Sequence, residues 1–303
     1  MDIVCSIDNN YVQHCCVMLT SFFENNKEEG NVIHLLTEGI TEDNKKTIEK
    51  LIHAYRGEFC YYLVNSEIVA SFPIKEGDHL TIATYYRLLM ADILPQSIDK
   101  ILYLDCDIII NDSIAELWNT SLGGYAMAAI EELGCSLPDV YKRLGYDEKY
   151  GYFNAGVLLI NLQYWREHNL TREFLLYIAE HYEKLKAHDQ DVLNALLHEK
   201  CLHVSYQWNV EEAFYHYSVM KRLKHNRELR FVLRHPTILH YTWKPKPWDL
   251  SCKHPFRINY YIYLQRFGGS SLNFKRKFAA LFDKYVFCFF LWINLKGHRY
   301  YKL

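Results

Sequence analysis

Residues 100–112 read Lys-Ile-Leu-Tyr-Leu-Asp-Cys-Asp-Ile-Ile-Ile-Asn-Asp, and no other stretch constrains the chain as much. Residues 101–104 form a short apolar run of the kind a buried parallel strand shows, and residues 108–110 form a second run just after it. Asp105 and Asp107 stand between them. Two ionised carboxylates at the end of a core strand cost several kcal/mol unless a cation or hydrogen-bond donors compensate. Hard oxygen ligands two residues apart can meet one Mn²⁺ or Mg²⁺ if the backbone turns between them, and such ions complete their shell with phosphate oxygens and water. The pattern points to a metal and diphosphate site, with a surface turn as the competing explanation. A second triplet, Asp189-Gln190-Asp191, opens an amphipathic helix pattern, where capping and the helix dipole account for at least one acid.

Around this stretch, segments of strand and helix character alternate. The patterns predict strands over 2–7, 31–37, 59–64, 125–130, 157–161 and 201–204, and helices over 11–23, 41–55, 81–94, 113–118, 162–168, 171–185 and from 188. Such alternation predicts an α/β fold with a mostly parallel central sheet. Ligands of such sheets bind beyond the carboxyl ends of the strands, where Asp8, Asn10 and Tyr11 fall, with helix capping as the alternative for Asp8 and Asn10. There is no Gly-x-Gly-x-x-Gly and no phosphate loop, which weighs against dinucleotide and ATP readings. Arg87 is predicted either on a solvated helix face or as the partner of a phosphate or carboxylate. Asn154 precedes the small residues Ala155 and Gly156, which let backbone approach a ligand closely, or simply turn into a strand. His240 ends an apolar strand and Lys246 sits in a proline-stiffened loop, adding a borderline metal ligand and a phosphate-seeking cation.

The chain of 303 residues, half of them hydrophobic, is long enough for a substantial core, and its net charge of −2 argues against nucleic acid as the main partner. Nine cysteines without CxxC or zinc spacing read as reduced core thiols, and the N-terminus lacks a secretory pattern, so a cytoplasmic location is expected. Lys221, Arg222, Lys224, Arg227, Arg230 and Arg234 predict a basic exposed surface. From residue 275 onward seven Lys or Arg face one acid, and Phe274, Phe278, Leu281, Phe282, Tyr285, Phe289 and Trp292 recur at helical spacing. The longest charge-free apolar run, 285–295, is far short of the roughly 20 residues a spanning helix needs. The expectation is an in-plane helix on an anionic membrane surface through residues 274–303, with packing on the core as the alternative.

Four separated stretches together resemble glycosyltransferase family eight, the retaining enzymes that include glycogenin and the galactosyltransferases of bacterial lipo-oligosaccharide synthesis. They are Asp8-Asn9-Asn10-Tyr11, Leu102-Tyr103-Leu104-Asp105-Cys106-Asp107, Phe153-Asn154-Ala155-Gly156-Val157, and His240-Tyr241 with Lys246-Pro247-Trp248. The resemblance implies a single Rossmann-like nucleotide-binding domain of GT-A type over residues 1–250, and the change of composition beyond it marks a basic, aromatic, helical region over 251–303. It implies that Asp105, Asp107 and His240, with Cys106 inside the motif, hold Mn²⁺ or Mg²⁺ against a UDP diphosphate. Asp8, Asn10 and Tyr11 would meet uridine and ribose, and Lys246 with the backbone around Trp243 the diphosphate. His79, Thr84, Arg87, Asn154, Ala155, Asp189 and Gln190 would surround the donor sugar. The bacterial galactosyltransferase pattern has glycine-proline ahead of Lys-Pro-Trp, whereas this chain has Trp243-Lys244-Pro245.

The implied reaction moves glucose or galactose from UDP to a lipopolysaccharide, glycolipid or other surface glycan, on the inner face of a bacterial membrane. Gln190 matches the family's candidate catalytic position and is a poor nucleophile, so the expected route is same-face attack through an oxocarbenium-like state. Gln190 and Asp189 would then stabilise and orient, and the UDP phosphate would take the acceptor proton. A metal-dependent nucleotide-sugar hydrolase and a non-catalytic peripheral membrane module are the rival readings.

Overall fold

The computed structural model describes residues 1–65, 68, 82–133, 137–223, 226–268, 282, 285, 286 and 289. Seven strands form one sheet: β1 (Asp2–Ser6), β2 (Val32–Thr37), β3 (Glu58–Leu63), β4 (Lys100–Leu104), β6 (Met127–Glu131), β7 (Phe153–Asn161) and β8 (Cys201–His203). Their order is β3-β2-β1-β4-β7-β6-β8. The pairs β1 with β2, β1 with β4, β2 with β3 and β6 with β8 are parallel, whereas β7 runs antiparallel to both β4 and β6. The sheet is thus mostly parallel, as the alternation predicts, with one reversed strand, β7, beside the central strand β4. Ile101 to Leu104 are all buried in a strand paired on both sides, by β1 and by β7, and a strand buried on both faces reads as an unbroken apolar run.

Two expectations about elements are corrected. The segment after residue 81 is a 3-10 helix, Ile82–Leu89, continued by a short α-helix, Met90–Ile93, which ends ahead of Pro95. The strand predicted from 157 begins at Phe153, so Asn154, Ala155 and Gly156 are inside β7, with Asn154 opposite Ile130. The cluster around Tyr103, Phe153, Trp165 and Phe174 forms the main core of this region.

A smaller sheet joins β5 (Ile108–Ile110), β9 (Val210–Glu211) and β10 (Ile238–His240), with β10 antiparallel to β5 and parallel to β9. The helix Val12–Asn25 fixes β5: Ser21 Oγ accepts from Ile110 N at 3.0 Å, and Asn25 Nδ2 donates to Ile110 O at 2.9 Å. The chain divides into two compact units, one of Met1–Val12, Glu28–Cys106 and Ala115–Ser205, the other of Gln13–Lys27, Asp107–Ile114 and Tyr206–Leu303. The large sheet belongs to the first and the small sheet to the second.

Among the described residues no helix is long and apolar enough to cross a membrane. Lys221, Arg227, Arg230 and Arg234 are exposed as predicted. The membrane reading of residues 274–303, and His79, lie outside the described residues, apart from Phe282, Tyr285, Val286 and Phe289.

Candidate active site

In the first unit the site is built on Arg87. Its side chain is not on a solvated face: the residue is 5% exposed and lies between acceptors from three elements. Nη2 meets Asp105 Oδ1 at 2.8 Å, Nε meets Asp189 Oδ2 at 2.8 Å, and Nη1 donates to Ala155 O. The guanidinium also lies over the Tyr103 ring at 4.3 Å, and Tyr103 Oη donates to Asp105 Oδ1 at 3.0 Å. Burial works against the guanidinium charge, but Asp105 and Asp189 outweigh it and raise the Arg87 pKa above its usual value. Burial in turn pushes the Asp189 carboxyl above the usual range, against the opposing effects of Arg87 and of Thr84 Oγ1, which donates to it at 2.7 Å.

Gln190 is held at both ends of its amide. Oε1 accepts from Ala155 N at 3.0 Å and Asn154 Nδ2 at 3.2 Å, while Nε2 donates to Glu132 Oε2 at 2.6 Å. Asn154 Oδ1 accepts from Gly156 N at 2.9 Å, which fixes the amide that meets Gln190. The preceding turn carries His188 at φ 49°, a left-handed conformation uncommon outside glycine, and Tyr85 Oη meets His188 Nδ1 at 3.0 Å. Asp191 has a different role from Asp189. It binds Arg143 Nη1 at 2.6 Å and accepts from Tyr152 Oη at 2.9 Å and from the backbone of Lys186 and Ala187 at 2.7 and 2.8 Å. That is an anchor for the turn, consistent with the capping explanation of the second acidic triplet.

In the second unit, Asp107, His240 and Lys246 form one cluster. His240 Nδ1 meets Asn209 Oδ1 at 2.9 Å, which orients the ring so that Nε2 lies 3.1 Å from Asp107 Oδ1. Orientation of a ligating imidazole through its other nitrogen is the usual support of a metal-binding histidine. Lys246 Nζ donates to Asp107 Oδ2 at 2.6 Å, Tyr241 O at 2.6 Å and Thr242 O at 3.0 Å. Burial would raise the Asp107 pKa, but Lys246 and His240 hold it well below the usual carboxylate range. Within this unit Asp107 and His240 offer a carboxylate oxygen and an imidazole nitrogen, donors of the kind that hold a divalent metal ion.

The remaining expected residues are placed as follows. Asp8 Oδ1 accepts from Asn10 N at 2.8 Å and Tyr11 N at 3.1 Å, so it does cap the turn into the helix Val12–Asn25. Cys106 is buried, and Trp243 is 53% exposed. Tyr103, Glu132, Asn209 and Arg143 carry contacts that the sequence reading did not single out. Glu132 had a signal, because it follows directly on Glu131, which closes an apolar run as Asp105 does; Asn209 had none.

A family model described as Glycosyl transferase family 8 matches residues 2–252. General stress protein A of Bacillus subtilis (strain 168) is 30% identical over 274 residues, covering 87% of this chain and 93% of that protein. A lipopolysaccharide 1,2-glucosyltransferase of Escherichia coli is 28% identical over 249 residues, covering 80% of this chain and 71% of that one. The crystal structure of the galactosyltransferase LgtC in complex with donor and acceptor sugar analogs is similar with a TM-score of 0.79 and 27% identity, covering 91% of this chain and 100% of that one.

Proposed function

The chain belongs to glycosyl transferase family 8, and we propose that it moves glucose or galactose from a UDP-sugar to a lipopolysaccharide, glycolipid or other surface glycan, with retention at the anomeric carbon. The observation that carries this reading is the cluster of Asp107, His240 and Lys246, in which an ionised carboxylate, an oriented imidazole and an ammonium meet. The relatives' names, a lipopolysaccharide glucosyltransferase and a galactosyltransferase, support the choice of sugar and acceptor. In this reading Asp105, Asp107 and His240 hold Mn²⁺ or Mg²⁺. When bound, the ion stabilises the negative charge that builds on the departing diphosphate.

The chain's own residues supply the rest. Lys246 and the backbone at Trp243 bind the diphosphate, where the ammonium adds charge as the C1–O bond weakens. Asp8, Asn10 and Tyr11 bind uridine and ribose. His79, Thr84, Arg87, Asn154, Ala155, Asp189 and Gln190 enclose the hexose. Asp189 is ion-paired with Arg87 and accepts from Thr84 Oγ1, and Glu132 is occupied by Gln190 Nε2, so neither is poised as a nucleophile. That favours departure and attack on one face, with Gln190 and Asp189 stabilising and orienting the oxocarbenium-like state and a UDP phosphate oxygen taking the acceptor proton.

Gln190→Ala and Asp189→Asn should each lower transfer about 100-fold, the scale of one preorganised polar contact. Intact-protein mass spectrometry during turnover should show no added hexose. A hexosyl-enzyme accumulating in either variant would contradict the same-face route.

The basic and aromatic composition of residues 274–303 supports placement of this chain on the inner membrane's anionic cytoplasmic surface. Changing Lys275, Arg276 and Lys277 together to Glu should release the chain from sedimenting anionic vesicles. Undiminished sedimentation would refute that placement.

A further inference from the structure

Trp243 lies three residues after His240 and three before Lys246, in a loop whose two ends both carry site groups. The backbone on either side of it is pinned. Tyr241 N donates to Asp107 O at 3.0 Å, Tyr241 Oη donates to Phe256 O at 2.8 Å, and Lys246 Nζ holds the carbonyls of Tyr241 and Thr242. Lys246 N donates to Asp249 Oδ2 at 2.8 Å, which fixes the far end. The loop is therefore preorganised by the same Lys246 ammonium that forms the cluster, together with the Asp107 backbone carbonyl and the Asp249 carboxylate.

On this fixed frame the indole stands 53% exposed, whereas Trp165 and Trp208 are buried and Trp248 is stacked on His14 at a centroid distance of 3.5 Å. A single exposed apolar side chain is ordinary on a protein surface. Here its position is what matters. A side chain left half in water gives up burial free energy, and this one does so on a loop too constrained to tuck it away.

A pyranose ring presents a flat face of C–H groups bordered by hydroxyls. Indole offers a rigid flat surface of matching size at low conformational-entropy cost, with an N–H at its edge for a hydroxyl. We propose that the Trp243 side chain is a stacking platform for the acceptor saccharide, a specificity contact distinct from the backbone contact to the diphosphate. The proposal rests on the glycosyltransferase reading above. It assigns the acceptor a ring with an accessible apolar face, as in gluco- or galactopyranosides. A membrane contact by the same indole is the competing outcome.

The test is saturation-transfer NMR on the full chain with methyl β-lactoside and methyl α-maltoside as probes, using the wild type, Trp243→Phe and Trp243→Ala. Saturation should reach the ring C–H protons of at least one glycoside in the wild type, persist in Trp243→Phe, and fall at least about fivefold in Trp243→Ala, the loss expected for one aromatic anchor. Equal signal in wild type and Trp243→Ala, or no signal from either glycoside in the wild type, would overturn it. Loss of vesicle binding in Trp243→Ala with glycoside signal unchanged would assign the indole to the membrane instead. Mn²⁺-dependent UDP binding by the wild type, followed in the same samples, tests the donor-site reading separately, so its absence is distinguishable from a failure of the platform.

Discussion

Arg87→Met is expected to lower the free energy of unfolding by about 3–5 kcal/mol, the range for removing one partner of a buried ionic cluster. Methionine keeps much of the side-chain volume, so the loss is electrostatic rather than a cavity. Asp105 would retain Tyr103 Oη and Asp189 would retain Thr84 Oγ1, but each loses its ion-pair partner, and the Ala155 carbonyl loses a donor. Lysine is no substitute, because one ammonium cannot span the fork of contacts that Nη1, Nη2 and Nε make with three elements. Urea unfolding followed by circular dichroism measures the effect. The pair Arg87→Met with Asp189→Leu should recover part of the loss, since it removes a stranded carboxylate. A change below about 1 kcal/mol in Arg87→Met would show that the cluster does not hold β4, β7 and the turn before Gln190 together.

The second large effect is on catalysis. Asp105→Asn with Asp107→Asn should lower Mn²⁺-dependent transfer by about a thousandfold or more, on the order of 4 kcal/mol of transition-state stabilisation at tenfold per 1.4 kcal/mol. The fold should survive. Asn at 105 still offers an amide oxygen to Arg87 and Tyr103, and Lys246 keeps the carbonyls of Tyr241 and Thr242. Rate and melting temperature therefore separate: a collapse of both would mean that the aspartates serve chiefly as structural ion-pair partners, and a retained rate would remove them from the chemistry.

Residues 101–104 were legible as a core strand because a strand buried on both faces must be apolar at every position. The same logic exposed Asp105 and Asp107 as carboxylates in need of a partner. Their partners were legible only in part: the sequence marks Arg87 as a carboxylate's partner without saying which carboxylate, and Lys246 as a phosphate-seeking cation rather than the partner of Asp107. Arg87, 18 positions before Asp105, and Lys246, 139 positions after Asp107, are set by tertiary folding, and no local period records them. Ala155 and Gly156 looked like a turn because small residues usually mark one. Inside β7 the backbone at Ala155 instead receives both the Arg87 guanidinium and the Gln190 amide, a close approach that small side chains permit. The reversed direction of β7 was hidden for a related reason, since an apolar run reports burial and not polarity.

The most direct measurement is calorimetric titration of UDP into the full chain with and without Mn²⁺, alongside the Asp105→Asn, Asp107→Asn double variant. The account predicts binding by the wild type only when Mn²⁺ is present, and none by the variant under either condition. UDP binding of equal strength without metal, or in the double variant, would contradict it.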